Sequence, residues 1–504
     1  MFNKILACLY LTLIPALHAQ NEIDALRYSL LSNENTAGIS ALGGAGGLLS
    51  HSYNPASLAF FSGNNLLSIS IGNKSNYTET NYLSHLSQLE KTQNATTNLI
   101  PFIQNAGYVA SLQFSETEEW STLNIALSVN RKQNFNQNTT IKGHNSKSSM
   151  LNQFVDNAQN IAPDDLGWNE WIAYNSFLID PEYTIEGNDT VWTGNYIPTG
   201  NAIIGQNQTK KISESGLVNE VDLAFSSSYK DWIFLGGSIG FTQIKYSYQS
   251  IYIEDEFNEE NNLLSFQNNE YLFQEGGGIN LKFGAILKPL PFLRIGCTYH
   301  SPTYNEISEF YENSIETNFK ESPDLEVTTD LVFTEQYSSE YKFTLNTPAK
   351  SISSLALIGK YKKLRALMTV DLERINYGSA KLATIDYYSN PFDTANENIN
   401  QYYGVAYNKK IGLLFSLENI SIRGGYAMFG SPFESKNLND WHQEYISFGL
   451  GYKIDSYSFD IAIAKKSHNE DYILYNDFDL PNPSQEAKIN SNTNTFIITC
   501  SYKF

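Results

Sequence analysis

Apolar residues recur at every second position in several long stretches of the chain. Leu123, Ile125, Leu127 and Val129 alternate with Asn124, Ala126, Ser128 and Asn130. Ile446, Phe448, Leu450 and Tyr452 face away from Ser447, Gly449 and Gly451, and Tyr457, Phe459, Ile461 and Ile463 oppose Ser458, Asp460, Ala462 and Ala464. The last stretch places Phe496, Ile498, Cys500, Tyr502 and Phe504 on one face. Successive side chains of a strand point to opposite sides, so each stretch predicts a strand with one oily and one wet face. A soluble sandwich shares that pattern with its oily face turned inward. The stretches are about ten residues or longer, the length a tilted strand needs to cross a lipid layer. Their connections also alternate between short, at 116–120, 231, 289–291, 362–363, 417 and 455, and long, at 74–105, 134–215, 254–269, 316–337, 378–399, 429–441 and 476–492. The pattern predicts an all-β protein, a transmembrane antiparallel β-barrel of about fourteen strands with both termini on the short-turn side. Pro348 falls inside one of these strands, 338–361, which is read as kinked because proline is tolerated at a bulge and not in a regular ladder.

Composition supports that reading. The 504 residues include 33 Tyr and 29 Phe against 15 Pro and 4 Met, a bias towards strands. A formal charge of −20 argues against nucleic acid, whose phosphates require clustered Lys and Arg. Three cysteines make neither a disulfide framework nor a four-thiolate metal site. Lys4, the apolar run Ile5 to Leu17 and the site at Ala19-Gln20 predict an export signal over 1–19, leaving 20–64 and a barrel from 65 to 504. No run of 18 or more apolar residues follows position 20, so no transmembrane helix is expected.

Residues 20–64 are not strand-like. Ala41-Leu42-Gly43-Gly44-Ala45-Gly46-Gly47 lets a backbone turn tightly and approach a wall closely, and Asn54-Pro55-Ala56 favours a turn. A segment carrying Leu42, Leu48, Leu49, Leu58, Phe60 and Phe61 is expected to pack in the lumen as a plug rather than trail in water. Here the sequence resembles the FadL/TodX-type outer-membrane transporters of hydrophobic compounds, in the form common in Bacteroidetes. Gly43, Gly44, Asn54, Pro55 and Ala56 resemble that family's N-terminal hatch, although Ser57 follows where Gly is usual. Arg294-Ile295-Gly296, His300-Ser301-Pro302-Thr303-Tyr304, Thr347-Pro348-Ala349 and Arg423-Gly424-Gly425-Tyr426 extend the resemblance along the chain. It implies a fourteen-stranded barrel stoppered by the hatch, a hydrophobic small-molecule ligand, a hatch that shifts on binding and release through a gap in the wall. It also implies insertion by the barrel-assembly machinery into a layer of outer-membrane lipid and lipopolysaccharide, as a monomer with loops outside and termini in the periplasm.

Within the 134–215 loop, Met150, Leu151, Phe154, Val155 and Ala158 recur at helical spacing, followed by Leu166, Trp168, Trp171, Ile172 and Phe177. Two short helices there form either a ligand groove lined by Phe154, Trp168, Trp171 and Phe177 or a packed rim. On the wet faces, Asp222, Lys282, Arg294, Asp371, Glu373, Arg423 and Asp460 predict inward ion pairs, and Arg294 or Arg423 could instead grip a ligand carboxylate. Glu254, Asp255, Glu256, Glu259 and Glu260 are read as a solvated acidic loop, with a calcium bridge to lipopolysaccharide phosphate as the lesser reading. No convincing Ser–His pair and no His-x-x-x-His spacing is present, so neither an enzyme nor a metal or cofactor site is expected. The expected activity is transport of long-chain fatty acids or other hydrophobic molecules, with a type IX secretion-like barrel that binds exported protein cargo as the alternative.

Overall fold

The computed structural model describes residues 22–30, 35–61, 63, 65–83, 89–97, 101–113, 119–146, 148–186, 189–199, 206–257, 262–320, 331–385, 391–435, 439, 441–475 and 486–504. The export signal expected over 1–19 lies outside them. The strands are β1 (Leu66–Leu83), β2 (Leu89–Thr97), β3 (Phe102–Gln113), β4 (Trp120–Asn134), β5 (Gln137–Asn145), β6 (Ile179–Glu186), β7 (Asp189–Pro198), β8 (Gln206–Tyr229), β9 (Ile233–Asp255), β10 (Leu263–Leu290), β11 (Leu293–His300), β12 (Tyr304–Phe319), β13 (Leu331–Asn346), β14 (Lys350–Tyr361), β15 (Leu364–Asn376), β16 (Lys381–Thr384), β17 (Val405–Leu417), β18 (Ile420–Phe429), β19 (His442–Ile454), β20 (Tyr457–Ile473) and β21 (Glu486–Lys503). The α-helices are α1 (Glu22–Arg27), α2 (Ala37–Ser40), α3 (Met150–Ala158), α4 (Trp168–Asn175) and α5 (Asp393–Tyr402).

All strands but the separate hairpin β6–β7 belong to one antiparallel sheet, which closes where β1 meets β21, from Leu66↔Lys503 to Asn81↔Lys488. Five wall positions are built from two segments in series: β3 with β2, β4 with β5, β11 with β12, β14 with β13, and β15 with β16. The wall therefore has fourteen positions. The kink expected at Pro348 is the break at 347–349, and it lies beside the break at 301–303, where the Thr347 N–H donates to the Thr303 carbonyl.

Around the ring, outward side chains near the short turns are large and apolar, among them Leu127, Phe225, Leu235, Phe241, Leu413 and Phe448. Along β17 the sequence alternates exposed and buried residue by residue from Val405 to Leu413. This belt spans roughly 25 Å of wall, the height of hydrocarbon crossed by tilted strands. A closed ring with such a belt is built to sit in a membrane. The short turns are made without glycine: Lys230, Asp231, Lys362, Glu418 and Asp455 all adopt φ near +50°. Two-residue hairpins demand that left-handed geometry.

Beyond the belt the strands continue towards the long-loop end, and here the structure departs from the sequence reading. The stretch 74–105, expected as a loop, is the upper half of β1, all of β2 and the start of β3; β8 begins at Gln206, inside the expected 134–215 loop. Likewise β10 starts at Leu263, β12 runs to Phe319 and β21 starts at Glu486. Above the belt neither wall face meets lipid, so segments such as Leu89–Thr97 lack the apolar alternation that marks a strand in sequence. Two clusters of tyrosines and aliphatics occupy parts of the upper interior. One cluster joins Tyr82, Leu151, Phe154, Tyr252, Phe266 and Tyr475; a second, deeper one joins Tyr28, Tyr246, Leu272, Phe343 and Ile399.

Candidate functional site

Residues 35–61 lie inside the ring and bond to strands on every side of it. Ala37 N–H donates to Thr499 Oγ1 at 2.7 Å, Gly43 N–H to Ser447 Oγ at 3.0 Å and Gly47 N–H to Asp371 Oδ2 at 2.9 Å. Asn124 Nδ2 donates to the Leu58 carbonyl at 2.7 Å, and His300 Nε2 lies 2.7 Å from the Tyr53 carbonyl. Gly43 and Gly44 turn the segment with φ of +70° and +72°. Asn54 caps the short 3-10 turn Pro55–Phe60, accepting the Ala56 N–H at 3.0 Å. That turn sits against β9 and β10 because both carry glycine there: a Cβ at Gly236 would come 2.5 Å from the Ala56 nitrogen, and one at Gly284 would overlap the Asn54 carboxamide. All five residues singled out as a hatch, Gly43, Gly44, Asn54, Pro55 and Ala56, lie in this buried contact.

Above this inner segment is a cavity of about 360 Å3, lined among others by Arg27, Lys132, Lys282, Lys350, Glu220 and Glu373. Its charges pair across strands. Lys282 Nζ lies 2.6 Å from Glu220 and 3.1 Å from Asp222, and Lys132 lies 2.9 Å from Glu220. On the opposite wall Lys350 and Lys410 each lie 3.5 Å from Glu373. Arg423 pairs with Asp460 at 2.5 Å, and Arg294 stacks its guanidinium 3.9 Å from the centre of the Phe60 ring, with its Nε buried and without a hydrogen bond. Asp222, Lys282, Glu373, Arg423 and Asp460 thus meet ion-pair partners, whereas Arg294 meets the Phe60 ring and Asp371 the Gly47 N–H, and Glu220, Lys132, Lys350 and Lys410 were missed. The signal for one of them was present: Glu220 precedes Asp222 by two, so both share a strand face. A buried pair is costly to break and specifies geometry more than it adds stability.

At the long-loop end, α3 and α4 form where helical spacing was expected, and Ser149 and Asn152 make a reciprocal cap at the start of α3. Their apolar faces turn down onto the barrel interior. Phe154 is 4% exposed and belongs to that core, Trp168 is half-buried, and Trp171 and Phe177 stand 39% and 47% exposed on the outer surface. Phe177 also holds a left-handed φ of +61°. Glu254 is not in a solvated loop. It lies at the far end of β9, well above the belt, and is fully buried. Its carboxylate accepts the Met150 N–H at 2.8 Å, Gln208 Nε2 at 3.1 Å, Tyr252 OH at 2.5 Å and the Ser149 hydroxyl.

Burial pushes the Glu254 carboxyl up to about 7, against hydrogen bonds that favour the ionised form. The folded cap therefore holds a proton that the unfolded chain has lost once pH exceeds about 4.5. Stability is greatest at low pH and falls as pH rises through 7, by about 3 kcal/mol in all. Glu254→Gln is expected to flatten this dependence, measured as hydrogen exchange of α3 between pH 5 and 8. Parallel profiles for the two proteins would rule Glu254 out as the titrating group.

A discontinuity of the wall lies beside the cavity. β3 pairs with β4 only from Asn105↔Asn130 to Gln113↔Thr122. Above that rung β4 and β5 pair with β8 alone, and β2 with β1 alone, so among the described residues no ladder joins the second and third wall positions there. Gln104 Nε2, donating to the Arg131 carbonyl at 3.1 Å, and the Arg131 guanidinium, 4.8 Å from the Phe102 ring centre, bridge the break. Lys132, Gln133 and Asn134, next along β4, line the cavity.

No family model and no curated protein matches this chain. Among solved structures it is similar to a Pseudomonas aeruginosa FadL homologue, with a TM-score of 0.52 and 12% identity over 93% of this chain and 98% of that one. The Ralstonia pickettii toluene transporter TbuX gives a TM-score of 0.48 and 12% identity over 94% and 99%. The Pseudomonas putida toluene transporter TodX gives 0.47 and 12% over 93% and 98%. At such identity the likeness is one of backbone alone, and the protein folds as the FadL homologue does.

Proposed function

We propose that the protein carries hydrophobic small molecules, long-chain fatty acids or other apolar solutes, through the bacterial outer membrane. The long-loop end faces outward and the short turns face the periplasm. Residues 20–64 act as a hatch that closes the lumen, and solute captured at the cap passes to the cavity and leaves after the hatch shifts. The observation that carries this reading is the cavity beside an unladdered stretch of wall. An open aqueous pore would not help an apolar solute, whereas a route from cavity to lipid spares it exposure to water, worth roughly 25 cal/mol per Å2. The fold shared with the FadL homologue, and the description of neighbouring folds as toluene transporters, agree with it.

Capture would fall to Trp168, Trp171 and Phe177, whose rings reach the cap surface, with Phe154 supporting them from beneath. The double variant Trp168→Ala, Trp171→Ala is expected to bind labelled oleate or an aromatic hydrocarbon about tenfold more weakly. Unchanged binding and uptake would remove the cap from the route. Mass spectrometry of small molecules retained in mild detergent identifies the solute. The alternative, a barrel that receives exported protein, draws on the projecting hairpin β6–β7, where Tyr183 and Ile185 are 55% and 78% exposed. Co-purified cargo together with unimpaired oleate uptake in a deletion strain would favour it.

A further inference from the structure

The outer wall carries two cations on adjacent strands at the upper edge of the apolar belt. Lys409 points outward from β17 between the exposed Tyr407 and Ile411, and Arg374 points outward from β15 two residues beyond the exposed Leu372. Arg374 pairs with Tyr407 and Leu372 with Lys409, so the two cations are diagonal neighbours on one face, roughly 7 Å apart. The residues beside them in the chain, Glu373 and Lys410, turn inward and pair with each other across the same two strands. Facing out, both side chains are positive, and among the described residues neither has an ion-pair partner. The outward carboxylate of Glu444 lies two strands from Lys409 and is held by His442 at 3.0 Å.

An unneutralised cation in an apolar belt is unfavourable, and less so at the level of the headgroups. Lys409 lies eight residues above Leu417 at the base of β17, roughly 20 Å up a tilted strand. That is just below the upper edge of the belt, within reach of the headgroups for a long cationic side chain. Tyr407 and Tyr299, each 49% exposed, face outward on the same line of rungs as Arg374, and exposed tyrosines are enriched at a membrane interface. Ser351 on β14 links them, being the rung partner of both Tyr299 and Arg374. A guanidinium and an ammonium at this spacing match a phosphate that can accept from both, and Leu372, Ile411 and Leu413 below them offer a surface for acyl chains.

We propose that Arg374 and Lys409 form a binding site for the phosphate of an outer-leaflet glycolipid, the lipid A of lipopolysaccharide, on the wall between β15 and β17. The choice of leaflet rests on the orientation proposed above. The doubly charged phosphate monoester ends suit two adjacent cations, and the lipid anchors the barrel wall at that height.

The test is native mass spectrometry of the full chain released from nanodiscs containing lipid A, phosphatidylglycerol or neither, with inorganic phosphate added in a separate arm. Wild type is expected to retain one lipid A, Arg374→Gln, Lys409→Gln to retain about tenfold less, and inorganic phosphate to leave retention unchanged. Lys360→Gln, Arg365→Gln removes the same charge at the short-turn end and is expected to behave as wild type. Equal retention by the Arg374, Lys409 variant, equal loss in the control, equally tight phosphatidylglycerol or displacement by inorganic phosphate would each overturn the assignment. Labelling of Thr184→Cys on intact cells by an impermeant maleimide checks the orientation separately, so an inverted barrel is told apart from a missing site.

Discussion

Gly425→Val is expected to turn the closed barrel into an open pore. Gly425 faces inward from β18, where a Cβ would overlap the backbone of Leu42 and Gly43. The approach is tight from both sides, since a Cβ on Gly43 would lie 2.7 Å from the Tyr426 nitrogen, and Gly43 already needs its φ of +70°. The wall around Gly425 is held by backbone ladders to Gly412 and Ser447. Those bonds do not depend on the side chain. The inner segment, by contrast, is held at this point by side-chain bonds, from Gly43 N–H to Ser447 Oγ and from Tyr445 OH to the Ser40 carbonyl. Valine therefore displaces the segment and spares the wall. Overpacking of about 3 kcal/mol shifts the seated population by about a hundredfold. In planar bilayers the variant should show steady ion current where wild type shows almost none. Gly359→Val adds the same side chain to a strand position with nothing within 4 Å and should stay closed. A silent Gly425→Val barrel, correctly inserted, would show that residues 35–61 do not seal the lumen.

Much of the wall was legible because lipid enforces a pattern. An outward side chain in the belt has to be apolar, so Ile446 to Tyr452 and Tyr457 to Ile463 declare their strands in sequence. Above the belt that constraint ends. Wall segments such as Leu89–Thr97 and Gln206–Gly216 then read as polar loops although they hold regular ladders. Helical spacing revealed α3 and α4 but not which way they face. Phe154 is drawn into a core supplied by Tyr252, Phe266 and Tyr475, all distant from it in the chain. The charged lumen was half visible for a similar reason. Asp222 and Lys282 could be picked out as ionisable residues on wet faces, but their pairing depends on the Glu220 and Lys132 registers across sixty to ninety intervening residues. Glu254 looked solvated beside Asp255 and Glu256, and only the packing of α3 over it explains its burial.

The break between the second and third wall positions leads to the other large effect. Asn105↔Asn130 is the last rung of the β3–β4 ladder, and Gln104 still reaches the Arg131 carbonyl just above it. Gln104 and Arg131 are the residues next beyond that rung, and so the positions at which a disulfide would tie the two strands above it. In a background with Cys297 and Cys500 replaced by serine, Gln104→Cys, Arg131→Cys should cross-link on oxidation and close the break. An apolar solute with about 300 Å2 of surface would lose about 7 kcal/mol by leaving through water instead of through the wall into lipid. Locking the break is therefore expected to cut uptake of labelled oleate by more than tenfold while capture at the cap persists, and reductant should restore it. Ala106→Cys, Val129→Cys spans a rung that is already laddered and should leave uptake unchanged when oxidised. If the locked barrel carries oleate as fast as the reduced one, the solute does not pass between these strands, and the route has to run downward past the displaced hatch.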